Sequence, residues 1–182
     1  MPNLTKSDLF DAFAEDLLVE RGIRPLVIVG ASKVEHLLYE VLSLHFLPKL
    51  AKTGDQDELL EGDRPLSTLS ARIKICRRLG LIDESLCLAL EQLRALRNLS
   101  AHSVAFDVAK SPLRERIAEL RKQVASRESF QLTKERYFDT APFRPIDELQ
   151  CILLTLCVLL EAIREKTTRT KGNKSTLGIA TR

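Results

Sequence analysis

Residues 151–160 read CILLTLCVLL, apolar at nine of ten positions. Few folds accept such a segment. A bilayer crossing needs about 20 apolar residues, so the run is too short to span a membrane and has to be covered by protein. Its flanks, over 146–165, keep a helical period. A helix that is apolar nearly all round its middle belongs at the centre of a core or in a subunit interface. From this helix we expect a homodimer.

The remainder of the chain offers helices to cover it. Leucine dominates, strand formers are sparse, and Trp is absent. With 182 residues, 45% apolar and 29% charged, the chain can bury a sizeable core and is too apolar for disorder. The expectation is an all-α protein: a compact helical bundle of five to seven helices in one domain over 1–166, then a flexible basic tail over 167–182. The N-terminal MPNLTKSDLFDAF has no apolar signal-peptide core, so a cytoplasmic protein with no membrane contact is expected. Cys76, Cys87, Cys151 and Cys157 form no CxxC pair and only three histidines exist, which argues against zinc. The expected state is buried free thiols, with no metal and no cofactor.

Residues 7–20 predict a first helix with Ser7 as N-cap and an apolar stripe through Leu9, Phe10, Phe13, Leu17 and Leu18, stopped by Gly22. The start of the next segment, PLVIVGAS, imitates a strand leading into a phosphate loop. It has neither GxxxxGK[ST] nor GxGxxG. Val27, Val34, Leu37, Leu38, Val41 and Leu44 suit a long helix over 24–47 instead, with Gly30, Ala31 and Ser32 allowing another helix to approach. A polar connection follows over 48–63. Pro65 opens a predicted helix over 66–80, Gly80 ends it, and Asp83 caps a helix over 83–102. So short a link predicts an antiparallel hairpin at about 66–102, packed on 24–47 and 146–165. Beyond it, 112–123 reads as a charged helix and 124–145 as mostly irregular.

The end of the hairpin carries the most informative polar groups. In LRALRNLSAHS, residues 93–103, a helical wheel puts Arg97 at about 20° from Leu86, between Leu90 and Leu93. Asn98 and His102 fall near 120° and 160° with Glu91. A guanidinium in an apolar arc needs a partner. Either a carboxylate from a neighbouring helix reaches Arg97, with Asp63 the first choice, or the arc borders a cleft.

Arg97-Asn98-Leu99-Ser100-Ala101-His102 resembles the RNxxxH signature of HEPN-type helical domains. Many of those are metal-independent endoribonucleases. The resemblance implies a catalytic set of Arg97, Asn98 and His102. His102 would move a proton and Arg97 would stabilise the phosphorane formed when a 2′-hydroxyl attacks phosphate. Arg97 and His102 lie about 140° apart on an ideal helix, so a dimer cleft would have to complete such a site.

A longer resemblance covers 63–102. Gly62-Asp63, Pro65-Leu66-Ser67, Ser70-Ala71-Arg72-Ile73 and Leu79-Gly80-Leu81-Ile82 are similar to the mannitol operon repressor (MtlR) family. That family is all-helical, is implicated in repressing mannitol utilisation genes, and lacks an evident DNA-reading motif. The resemblance implies a transcriptional regulator working through an unidentified protein partner, rather than an enzyme. Asp63, Arg72, Arg97 and His102 are then structural or interaction residues. Sequence-specific DNA binding is not expected. The net charge of +3 is small, and the helix over 83–102 is too leucine-rich to lie in a major groove. Phosphate contacts, if any, would come from Arg72, Lys74, Arg77 and Arg78 with Lys166, Arg169, Lys171 and Lys174.

Overall fold

The computed structural model describes residues 6–48, 56–102, 113–139 and 143–167, with side chains from Phe10 onward. These residues form seven α-helices and no strand: α1 (Lys6–Val19), α2 (Ile23–His45), α3 (Leu69–Arg78), α4 (Glu84–His102), α5 (Leu113–Val124), α6 (Glu128–Phe138) and α7 (Pro145–Lys166). The all-α expectation holds. Leu26–Val29 is helical, so the resemblance to a strand and phosphate loop is superficial. The expected tail lies, beyond Thr167, outside the described residues.

Four helices close a ring of contacts, α4 on α2, α2 on α7, α7 on α5 and α5 on α4. The remaining three flank it. α3 covers α2 and α4, and α1 and α6 cover α7. The sequence pattern predicts the 66–102 hairpin directly against 146–165. The hairpin packs on α2, as expected, and its other main neighbour is α5 rather than α7.

α7 sits where its composition requires. Leu149 through Cys157, and Leu160, are buried. Its apolar surface is covered within the chain, so it no longer argues for a subunit interface. Its first turn is fixed by Asp147, whose Oδ2 accepts from the Arg144 backbone N–H at 2.9 Å, while the Arg144 guanidinium donates to both carboxylate oxygens. These bonds hold the Asp147 carboxyl below its usual value. Gln150, buried on the same helix, donates its amide to the carbonyls of Leu17, Leu18 and Glu20 at 2.9–3.1 Å. Those oxygens end α1 and have no partner inside it. The expected stop at Gly22 is therefore assisted from α7.

α2 approaches α7 closely at Gly30, which is buried against Leu153. Ala31 is buried beside it, and Ser32 faces out. The link between α3 and α4 follows expectation. Gly80 takes φ 71°, Leu81 N–H donates to Cys76 O at 2.9 Å, and Asp83 Oδ1 caps α4 by accepting from Leu86 N–H at 2.7 Å.

α1 begins by Lys6, so Ser7 lies inside the helix rather than capping it, and two further stretches differ from the sequence reading. α3 begins at Leu69 rather than near Leu66, because Thr68 is its N-cap, accepting from Ala71 N–H at 3.2 Å. Pro65 and Leu66 belong to the preceding turns, where Leu66 N–H donates to Leu59 O at 2.9 Å. The stretch read as irregular contains α6. Its buried positions are Phe130 and Thr133, with Tyr137 half-buried, while Leu132 points to solvent. One inward position is thus polar and one outward position apolar, which erases the helical stripe. Thr133 is accommodated because its hydroxyl donates to Ser129 O at 2.7 Å.

Candidate functional site

α2 and α4 meet along a seam that is apolar except where Glu35 faces Arg97. Glu35 adjoins the buried arc of α2, at about 100° from Val34 on a helical wheel. Arg97 lies in the apolar arc of α4. Arg97 Nη1 donates to Glu35 Oε2 at 2.9 Å, with the two side chains 37% and 23% exposed. The carboxylate required by Arg97 is therefore present, and it is Glu35 rather than Asp63. Asp63 is exposed in the turns before α3, whereas Glu35 is carried to the seam by a packed helix. The sequence holds a signal for this pair: each residue is a charge at or beside the buried arc of its own helix, and the two charges are opposite.

Arg72 of α3 reaches the same place from the other side. It is 8% exposed and donates to three backbone carbonyls: Leu66 at 3.0 Å, Leu60 at 2.7 Å and Glu35 at 3.2 Å. Its guanidinium carbon lies 5.3 Å from the Tyr39 ring centroid. Tyr39 in turn donates its hydroxyl to Glu61 Oε1 at 2.9 Å, and burial and this carboxylate raise its pKa. Glu35 thus receives one arginine on its carboxylate and another on its carbonyl. A fork with five donors suits such a position better than an ammonium. Arg72 is withdrawn from the set of cations available to phosphate. Lys74, Arg77 and Arg78 remain exposed.

The other residues of the signature stand apart. Asn98 and His102 are exposed on the last turns of α4, and Ser100 is buried with its hydroxyl donating to Arg97 O at 2.7 Å. No hydrogen bond or ion pair joins Arg97 to His102 among the described residues. Glu91, expected on the face of Asn98 and His102, is engaged by Arg94 Nε at 2.7 Å. The arrangement is one compensated guanidinium at a seam and a histidine elsewhere on the helix surface. It is suited to holding α2, α3 and α4 in register.

Cys76, Cys151 and Cys157 are buried free thiols whose pKa values are pushed up to about 12 by burial. Cys87 is also free and half-buried. Among the described residues no helix is long and apolar enough to cross a membrane.

The fold has solved counterparts. The chain is similar to MtlR in the MtlR–HPr complex from Escherichia coli, with TM-score 0.55 and 19% identity over 84% of this chain and 99% of that one. It is also similar to YggD from Shigella flexneri, described as a possible transcriptional regulator, with TM-score 0.59 and 14% identity over 92% of this chain and 99% of that one. No protein-family model and no curated protein matches the sequence. At these identities the likeness is one of fold alone, and the chain has a distant MtlR-like fold.

Proposed function

We propose that this chain is a member of the MtlR kind of regulator and acts in the cytoplasm by binding another protein. The observation that carries the reading is the fold likeness, which takes in 99% of both neighbours, one of them in a complex with HPr. The sequence resemblance over 63–102 points the same way and adds mannitol utilisation genes as the regulated set. Two features of the site support it. Arg97 is committed to Glu35, which leaves the RNxxxH signature a structural role. The helix nearest to a recognition helix, α4, has Leu86, Leu90, Leu93 and Leu96 buried, so its apolar face is not offered to a DNA groove.

The test is titration of the purified chain with purified HPr from the same organism, followed by calorimetry. A saturable complex at micromolar affinity or better is expected, with no preference for one duplex DNA over a scrambled sequence at physiological salt. RNA cleavage that disappears in both Arg97→Ala and His102→Ala, with HPr failing to bind, would replace this reading by the nuclease one.

A further inference from the structure

A cleft runs along α5 where the starts of α2 and α7 meet it. Its volume is about 940 Å³, within the roughly 300–1,000 Å³ common to small-molecule sites. The floor is apolar, made by Ile117 and Ala118 of α5 and Ala125 just beyond it, with Ile23 and Ile146 from the first turns of α2 and α7. The rim is basic, with Arg21, Arg114, Arg121 and Lys122. Against them the lining holds one carboxylate, Glu148, which Arg121 Nε meets at 3.1 Å. Lys122 is engaged by Glu119 outside the cleft. Arg21 and Arg114 are exposed and make no ion pair among the described residues. The N-terminus of α2 is already answered by a carboxylate, since Glu20 Oε1 accepts from the N-cap Gly22 N–H at 2.6 Å, so the positive field at the rim comes from the side chains.

We propose that this cleft binds an organic anion with an apolar body, of the chemistry of a medium-chain carboxylate. The body lies on the α5 floor and the carboxylate sits at the basic rim. Both halves of the argument are needed. An apolar floor alone accepts any hydrophobe, and exposed arginines alone attract any anion. A concave apolar floor bordered by four cations against one lining carboxylate, with Arg114 free of any ion pair among the described residues, selects a molecule carrying both. The inference stands independently of the protein-partner reading above.

The test uses the full chain and decanoate, with decanol and acetate as probes that each lack one half of the chemistry. Calorimetry should show one saturable decanoate per chain, with decanol and acetate at least ten-fold weaker. Arg114→Glu should weaken decanoate at least ten-fold. Ala118→Phe, at an exposed floor position, should abolish binding without lowering the melting temperature. Five results would overturn the proposal. One is absence of saturable binding. Another is equal affinity for decanol. A third is binding indifferent to both substitutions. The fourth is a cleft already closed by a second copy, seen as a dimer that Ala118→Phe converts to monomer. Capture of an acidic amphipathic peptide in place of decanoate would overturn it as well.

Discussion

A β-carbon placed on Gly30 of α2 would stand 2.8 Å from both Leu153 methyls of α7. Leu153 is fully buried, so its methyls have to shift within a packed core to admit any side chain there. Gly30→Val should therefore destabilise the protein by about 3 kcal/mol, the upper part of the overpacking range. Gly30→Ala brings that 2.8 Å contact by itself and should lose about 1 kcal/mol, the gain in helix propensity offsetting only part of the overpacking cost. Urea unfolding of the two variants measures both.

The exposure of Arg97 sets the size of its contribution. A fully buried pair, once broken, loses about 3–5 kcal/mol. At 37% exposure the Arg97–Glu35 pair lies nearer the surface case. Arg97→Ala should lose about 1 kcal/mol, and a double-mutant cycle with Glu35→Gln should give a coupling of roughly 0.5–1 kcal/mol. His102→Ala should stay within about 0.5 kcal/mol.

Arg72 should matter more than either. Its removal strands carbonyls of Leu60, Leu66 and Glu35, and hydrogen bonds from charged groups each contribute about 1.5–3 kcal/mol. Arg72→Ala should lose at least about 3 kcal/mol. Arg72→Lys should recover only part, since an ammonium cannot reproduce the fork. Hydrogen exchange should accelerate first over residues 56–67, the segment that Arg72 anchors.

Acid should weaken the fold through Asp147 and Asp83. Hydrogen bonds from Arg144 lower the first carboxyl and a hydrogen bond from Arg127 lowers the second. A carboxyl with a folded-state pKa below its unfolded value near 3.8 stabilises the fold above that value. Its contribution is lost as pH falls through the folded value. Stability should therefore be level down to about pH 5 and decline below about pH 4. Asp147→Asn should reduce the slope of that decline in chemical denaturation run across the acid range.

Thiol labelling at pH 8 should show one accessible site per chain. Cys87 is half-buried, while Cys76, Cys151 and Cys157 are enclosed and resist ionisation. An aromatic disulfide reagent should release one equivalent quickly and three more only on unfolding, and Cys87→Ser should erase the fast phase. The sign for stability is opposite to the acid case. A raised folded-state pKa stabilises below the unfolded value near 9, and that stabilisation is lost as pH rises.

Much of this was legible in periodicity and caps. The apolar arcs of α2, α4 and α7, the stop at Gly80 and the cap at Asp83 are all local signals, decided within a turn or two of sequence. α6 was not legible because Thr133 occupies an inward position and Leu132 an outward one. Long-range polar partners were harder still. Arg97 announced that it needed a carboxylate, yet Glu35 lies 62 residues away and only the packing of α2 on α4 selects it over Asp63. Gln150 gave no sign that it would finish α1, because that role is defined by carbonyls far off in the chain. The basic cleft was likewise invisible, since its lining comes from three separate stretches of the sequence.

α2 links three places described separately above. Ile23 borders the cleft, Gly30 touches Leu153, and Glu35 holds Arg97. At 1.5 Å per residue these points lie about 10 Å and then about 8 Å apart along one unbroken helix. The helix has the layout of a lever, with Leu153 pressed against it between the cleft end and the ion pair. A wedge driven in at Ile23 would tilt the far arm at Glu35, and the guanidinium resonance of Arg97 is where that tilt would register.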